Sequence, residues 1–138
     1  MTFSPRQQQL VSDSFALIRE EAIPVTLLFY GRLFDLDPST RRMFQPDLQT
    51  QSKKLVDMLE VIVSSLSQFD RIRPRLGQLG ASHAELGVQP AHYETLTSAW
   101  LWALSMGLER QFTPETKAAW KVVLEAVSEV MIRGAVQK

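Results

Sequence analysis

Apolar residues recur along this chain at spacings of three and four, the rhythm of helices buried along one face. Ser4-Pro5 opens the first such stretch, with Gln7 placed to close a capping box and Leu10, Val11, Ser14, Leu17 and Ile18 on its inner stripe. Pro24 starts a second, with Ile23, Leu27, Tyr30 and Phe34 on one face. Asp37-Pro38 reads as cap and first residue of a short helix ending near Phe44, and Gln45-Pro46-Asp47 as a turn. A long helix is predicted from about Thr50 to Leu66, turning Leu55, Met58, Leu59 and Ile62 inward. The stretch Asp70 to Leu86 holds another, and Gln89-Pro90 starts one carrying Leu96, Trp100, Ala103, Leu104 and Gly107. Thr113-Pro114 opens the last, whose stripe is Trp120, Val123, Leu124, Val127, Val130 and Met131. Nothing alternates with period two for long enough to make a strand, and there is no repeat or linker. The expected architecture is all-α, about six or seven helices packed in pairs around a shared core or ligand. One domain is expected over residues 1–138.

Composition narrows the function classes. Fifteen basic residues balance fifteen acidic ones, so no broad attraction to nucleic acid or to an anionic membrane is expected. No cysteine is present, which excludes disulfides, thiolate chemistry, cysteine-ligated zinc and iron–sulfur clusters, and fits a reducing cytoplasm. Met1-Thr2-Phe3-Ser4-Pro5-Arg6-Gln7 lacks the basic-then-apolar run of a signal peptide. No window approaches the roughly 20 apolar residues of a membrane span. A soluble, cytoplasmic protein is the expectation.

The chemistry-bearing residues centre on Leu76-Gly77-Gln78-Leu79-Gly80-Ala81-Ser82-His83-Ala84-Glu85-Leu86-Gly87-Val88. Leu76, Leu79, His83 and Leu86 share one helical face, which puts an imidazole on the apolar stripe. Gly80, one turn earlier, and its neighbours Gly77 and Ala84 leave room for close approach to this backbone, and Gly87 offers a left-handed exit. His83 is either a core histidine bonded to a carbonyl or a single metal ligand facing a flat, apolar cofactor. His83 and His92 are separated by Gly87 and Pro90, so they are not a helical ligand pair, and no carboxylate spacing completes a zinc site. Ser82 adjoins His83 but does not face it, and the glycines do not form a phosphate loop. Tyr30 on a buried stripe, Gln51 one turn before Leu55, and Phe44 before a proline turn each admit a structural role or a place in a cavity wall.

Taken in order, Phe29-Tyr30, Leu33-Phe34, Pro38, Phe44, Gln51-Ser52-Lys53-Lys54-Leu55, His83 with Gly87-Val88, and His92-Tyr93 resemble the globin family. The likeness is to bacterial single-domain haemoglobins and the haem domains of flavohaemoglobins, over essentially the whole chain. It implies a globin fold around haem b, with His83 as the proximal iron ligand and Tyr30 and Gln51 as the distal pair. Phe44, Leu55, Val88 and Tyr93 would line the cofactor, and Lys54 would be a rim cation near a propionate or simply solvated, with Lys54 or Tyr30 as a sixth ligand to ferric iron the lesser alternative. His92 reads as a surface residue at a helix start.

The same resemblance implies dioxygen, nitric oxide and carbon monoxide as ligands. A phenol and an amide donor favour ligands that gather negative charge, at about 1.5–3 kcal/mol per charge-assisted bond. That implies tight oxygen binding and slow release, which suits nitric oxide detoxification to nitrate with a separate reductase better than oxygen transport. The alternative is a non-catalytic oxygen or nitric oxide storage, transport or sensing globin. One position departs from the flavohaemoglobin pattern. The glutamate expected on the last helix falls near Ala135, which has no carboxylate, and Glu129 and Glu125 lie six and ten residues earlier, Glu129 facing a different direction.

Overall fold

In the computed structural model, which describes residues 3–44 and 46–136, six α-helices follow the predicted order. They are α1 (Pro5–Ile18), α2 (Ala22–Leu36), α3 (Leu48–Ser64), α4 (Arg73–Glu85), α5 (Pro90–Leu108) and α6 (Pro114–Val136). No strand occurs among the described residues. Met1, Thr2 and Gln45 lie outside them, and with them part of the N-terminal reading and of the predicted turn before α3.

The helix starts are set by side chains that satisfy the unpaired N–H groups of a first turn. Ser4 and Gln7 form the predicted capping box, with both bonds at 2.9–3.0 Å. Asp47 accepts from the N–H groups of Gln49 at 3.1 Å and Thr50 at 3.3 Å, so α3 begins two residues before Thr50. Thr113 Oγ1 accepts from Thr116 N–H at 3.1 Å in front of α6. Each such cap contributes about 0.5–2 kcal/mol. Pro24 lies inside the first turn of α2, which begins at Ala22, where its missing N–H has no intrahelical role.

Elsewhere the boundaries shift for local reasons. The short helix after Asp37 is 3-10, over Pro38–Met43. The predicted helix from Asp70 is two pieces. Leu66–Ile72 winds as 3-10 turns with a break at Gln68 (φ −138°, ψ 46°), and α4 starts at Arg73 with Pro74 in its first turn. Leu86 lies beyond the end of α4 and is 58% exposed, not on a buried stripe. Leu17 is also turned out, 57% exposed, because the row Val11, Ser14, Phe15 and Ile18 faces the core and Phe15 fills the place expected of Leu17. On α2 the buried face is Val25, Thr26, Phe29, Tyr30 and Leu33, leaving Ile23, Leu27 and Phe34 half-buried at its edges.

Three pairings organise the core. α2 crosses α5, bringing Phe29 edge-on to Trp100 at 5.9 Å between ring centroids. α1 lies on α6, where the buried Trp120 indole N–H donates to Ser14 Oγ at 2.8 Å and Arg6 pairs with Glu115. α4 lies on α6 in the most extensive contact of the molecule. There Gly80 meets the backbone of Met131 and Gly77 meets Gly134, so two main chains touch with no side chain between them. A β-carbon at Gly80 would stand 2.6 Å from Met131 Cα and closer still to its carbonyl oxygen. The close approach expected at these glycines is therefore made by α6.

Candidate functional site

α4 delivers His83. Its Nδ1 lies 2.9 Å from the carbonyl oxygen of Leu79, one turn earlier. A carbonyl can only accept, so Nδ1 carries the ring proton and Nε2 keeps its lone pair. Burial pushes the imidazole below its ordinary pKa, against the opposing pull of the Leu79 carbonyl. Burial prevails and favours a neutral ring, while the Leu79 carbonyl fixes which nitrogen is left free, and that is the form in which histidine binds a metal. Leu86 N–H and Val88 N–H both donate to the carbonyl of His83, at 3.0 and 3.1 Å, and Gly87 (φ +99°) makes the left-handed exit that allows it. Val88 is buried directly beyond this turn.

α2 and α3 deliver the second group. Tyr30 is 2% exposed, with its ring stacked on Phe34 (6.0 Å) and edge-on to Phe44 (5.4 Å) and Phe29 (4.9 Å). Its hydroxyl shares a hydrogen bond with the side chain of Gln51, in the first turn of α3. Burial drives the phenol well above its usual pKa and outweighs the Gln51 bond, so Tyr30 stays protonated. Leu55, one turn beyond Gln51, is half-buried, and Lys54 points to solvent. Phe44 is half-buried after the 3-10 turn, whose buried neighbour Met43 the hydrophobic pattern did not flag. Ser52 is wholly buried, and its hydroxyl has no hydrogen-bond partner among the described residues.

α5 brings a third set. Tyr93 is 7% exposed, and burial raises its phenol pKa. His92 is not a free surface residue. Its Nδ1 accepts the N–H of Gln89 at 2.8 Å, capping α5, and its Nε2 faces Asp37 Oδ2 at 3.6 Å, with only 17% of the side chain exposed. No sequence spacing announces that contact between the start of α5 and the end of α2. Ala135 is half-buried on α6. Glu129 and Glu125 line the same depression as Tyr93, of about 610 Å³ between α5 and α6, and Glu129 is engaged by Arg133 at 2.7 Å. A second depression of about 520 Å³ lies over the α4–α6 glycine contact, between Arg73 and Arg133. Neither is lined by His83, Tyr30 or Gln51.

The structure thus gathers Tyr30, Gln51 and Phe44 into one contact group, and His83 with Val88 into another. Among the described residues no group of three or more His, Asp or Glu side chains could hold a bare metal ion. A metal next to His83 would need most of its ligands from elsewhere, as a planar macrocycle provides. The half-buried apolar side chains of Phe44, Leu55, Met58 and Leu79, at the margin of the core, suit such a flat apolar body.

Helix order and pairing are those of an all-helical globin fold. The globin family model matches residues 27–131, and the chain belongs to the globin family. A bacterial globin of Campylobacter jejuni superposes with a TM-score of 0.84 at 21% identity, covering 96% of each chain. Anaerobic nitrite reductase NSHB5 of Oryza sativa subsp. indica is 26% identical over 98% of this chain and its own full length. Flavohemoprotein B of Dictyostelium discoideum is 24% identical over 94% of this chain, which spans 31% of that longer protein. No helix among the described residues is long and apolar enough to cross a membrane.

Proposed function

We propose that this globin binds haem b through Nε2 of His83, holds dioxygen tightly beneath Tyr30 and Gln51, and converts nitric oxide to nitrate. The observation that carries this reading is the buried, hydrogen-bonded Tyr30–Gln51 pair. Haem supplies, when bound, an iron that accepts diatomic ligands. His83 contributes a neutral ring whose orientation is fixed by the Leu79 carbonyl, so the lone pair needs no deprotonation to bind. Tyr30, held protonated by burial, donates to a ligand that gathers negative charge, and Gln51 offers a second donor. With haem bound, Phe44, Leu55 and Val88 would keep water from the ligand and so strengthen those bonds, Tyr93 would serve the side of His83, and Lys54 would answer a propionate.

The overall change, NO plus O2 plus one electron giving nitrate, needs one electron per turnover, which a separate reductase would supply in the cytoplasm. The relative named Flavohemoprotein B, of which this chain spans 31%, supports a reading in which a globin of this kind works with an electron donor. The relatives named as anaerobic nitrite reductases, from rice and from Physcomitrium patens, favour a second reading. In it the same pocket reduces nitrite with one electron and two protons to nitric oxide and water. Stopped-flow mixing of the oxygenated protein with nitric oxide separates the two. Stoichiometric nitrate within the mixing time supports the dioxygenase reading, and slow reaction together with nitric oxide release from nitrite under anaerobic reduction overturns it.

A further inference from the structure

Five aromatic rings run in unbroken contact from the candidate site to the far side of the core. Tyr30 meets Phe29 at 4.9 Å, Phe29 meets Trp100 at 5.9 Å, Trp100 meets Trp120 at 6.1 Å, and Trp120 meets Phe15 at 6.4 Å. Three are oxidisable, and their surroundings differ in what they do to a positive charge. An oxidised phenol is strongly acidic and must lose its proton, yet the partner that the protein itself gives the Tyr30 hydroxyl is the Gln51 amide, which is no base. An oxidised indole holds its N–H proton far better and so tolerates having no base nearby. Trp100 Nε1–H is buried with no acceptor among the described residues. Trp120 Nε1–H donates to Ser14 Oγ, and that hydroxyl donates onward to Leu10 O at 2.7 Å, which aims its oxygen lone pairs at the indole. Beyond Trp120 the Arg19 guanidinium sits 5.6 Å over Phe15, and a cation there opposes further spread of positive charge. Trp102, the third tryptophan, carries the Arg32 guanidinium 5.2 Å over its ring and is disfavoured for the same reason.

We infer that Trp100 and Trp120 form a hole relay that draws one oxidising equivalent away from the haem pocket and rests it on Trp120. The inference rests on the haem reading above and names hydrogen peroxide as the oxidant. Held by His83, haem would supply the cleavage of hydrogen peroxide, which takes two electrons, releases one water carrying both peroxide protons and would leave the second oxygen with the haem. One electron would come from the haem and the other from Trp120, through Trp100 and the Phe29 and Tyr30 rings. Trp120 keeps its Nε1 proton and becomes a radical cation bonded to Ser14. A hydrogen bond to a charged group favours Trp120 over the unbonded Trp100 at least about tenfold. The relay therefore removes the radical from the ligand-binding face.

The test is freeze-quench EPR of the ferric, haem-loaded protein mixed with hydrogen peroxide, grown with ring-deuterated tryptophan or tyrosine. The expected signal narrows with deuterated tryptophan only. Trp120→Phe moves it to Trp100, and Ser14→Ala, which keeps every ring in place, lowers the Trp120 share about tenfold. Trp100→Phe cuts the tryptophan yield at least about fivefold and leaves the radical on tyrosine. Trp102→Phe changes nothing. A tyrosine radical in the unaltered protein, a signal lost with Trp102, or one indifferent to both Trp100→Phe and Ser14→Ala overturns the relay while leaving the haem reading intact. A folded protein that takes up no haemin, seen from its absorption before peroxide is added, overturns both.

Discussion

Gly80→Ala tests how α4 is held, because two opposite effects meet at one methyl group. In an isolated helix alanine is favoured over glycine by about 0.8–1.0 kcal/mol. Here the new carbon would lie 2.6 Å from Met131 Cα and from its carbonyl carbon, and nearer to the oxygen, all of them backbone atoms. Ordinary carbon contacts are about 3.5–4.0 Å, so α4 must retreat by roughly 1 Å. Overpacking of this kind costs about 1–3 kcal/mol, and the absence of any side chain that could swing aside puts the cost at the upper end. A net loss of about 1–2 kcal/mol is expected, and His83, one turn on, moves with the helix. Gly31→Ala is the matched control. It lies inside α2 with nothing within 4 Å of the added carbon, so it should stabilise by about 0.5–1 kcal/mol. Urea unfolding of the haem-free protein reads both, and the absorption of the haem-loaded protein reads the displacement of His83. A Gly80→Ala variant as stable as its parent, with an unchanged spectrum, would refute the main-chain contact.

The site carries further predictions. Tyr30→Phe should speed oxygen dissociation at least about tenfold, measured by stopped-flow displacement, since one charge-assisted bond is lost; an unchanged rate removes Tyr30 from the ligand. Its phenol pKa is raised on folding, so the unfolded chain gives up that proton first and stability falls as pH rises above about 10. Tyr30→Phe should lessen that alkaline loss in the haem-free protein, leaving the smaller part due to Tyr93. His83→Ala should abolish the five-coordinate ferrous spectrum, and added imidazole should restore it; retention of the spectrum without imidazole would mean another ligand. Glu129→Gln should leave the iron–histidine stretching frequency unchanged by resonance Raman, because Arg133 already engages that carboxylate; a clear shift would make Glu129 a partner of the proximal side.

The helices were legible wherever a cap and a periodic stripe coincided, as at Ser4-Pro5 and Thr113-Pro114. They were less so where tertiary packing chose the face. Leu17 and Phe15 lie two residues apart, and only the position of Trp120 decides which of them goes inward. The break at Gln68 has no signal in residue type, since glutamine is an ordinary helix former. At the site, the order of aromatic and polar residues identified the family, and the glycines before His83 announced a close neighbour without saying which. That neighbour, α6, lies some fifty residues away in sequence, beyond the reach of any local pattern. The contact of His92 with Asp37 was hidden for the same reason.

That imidazole has a built-in sense of direction. Because Gln89 gives its N–H to Nδ1, the proton of the neutral ring sits on Nε2 and is turned toward the carboxylate of Asp37, which also holds the first turn after α2 by accepting from Ser39. Turning the ring over would set a carbon against the Gln89 N–H and lose both partners at once. The ring is a keyed pin that fits one way round, and through it the start of α5 is fastened to the end of α2.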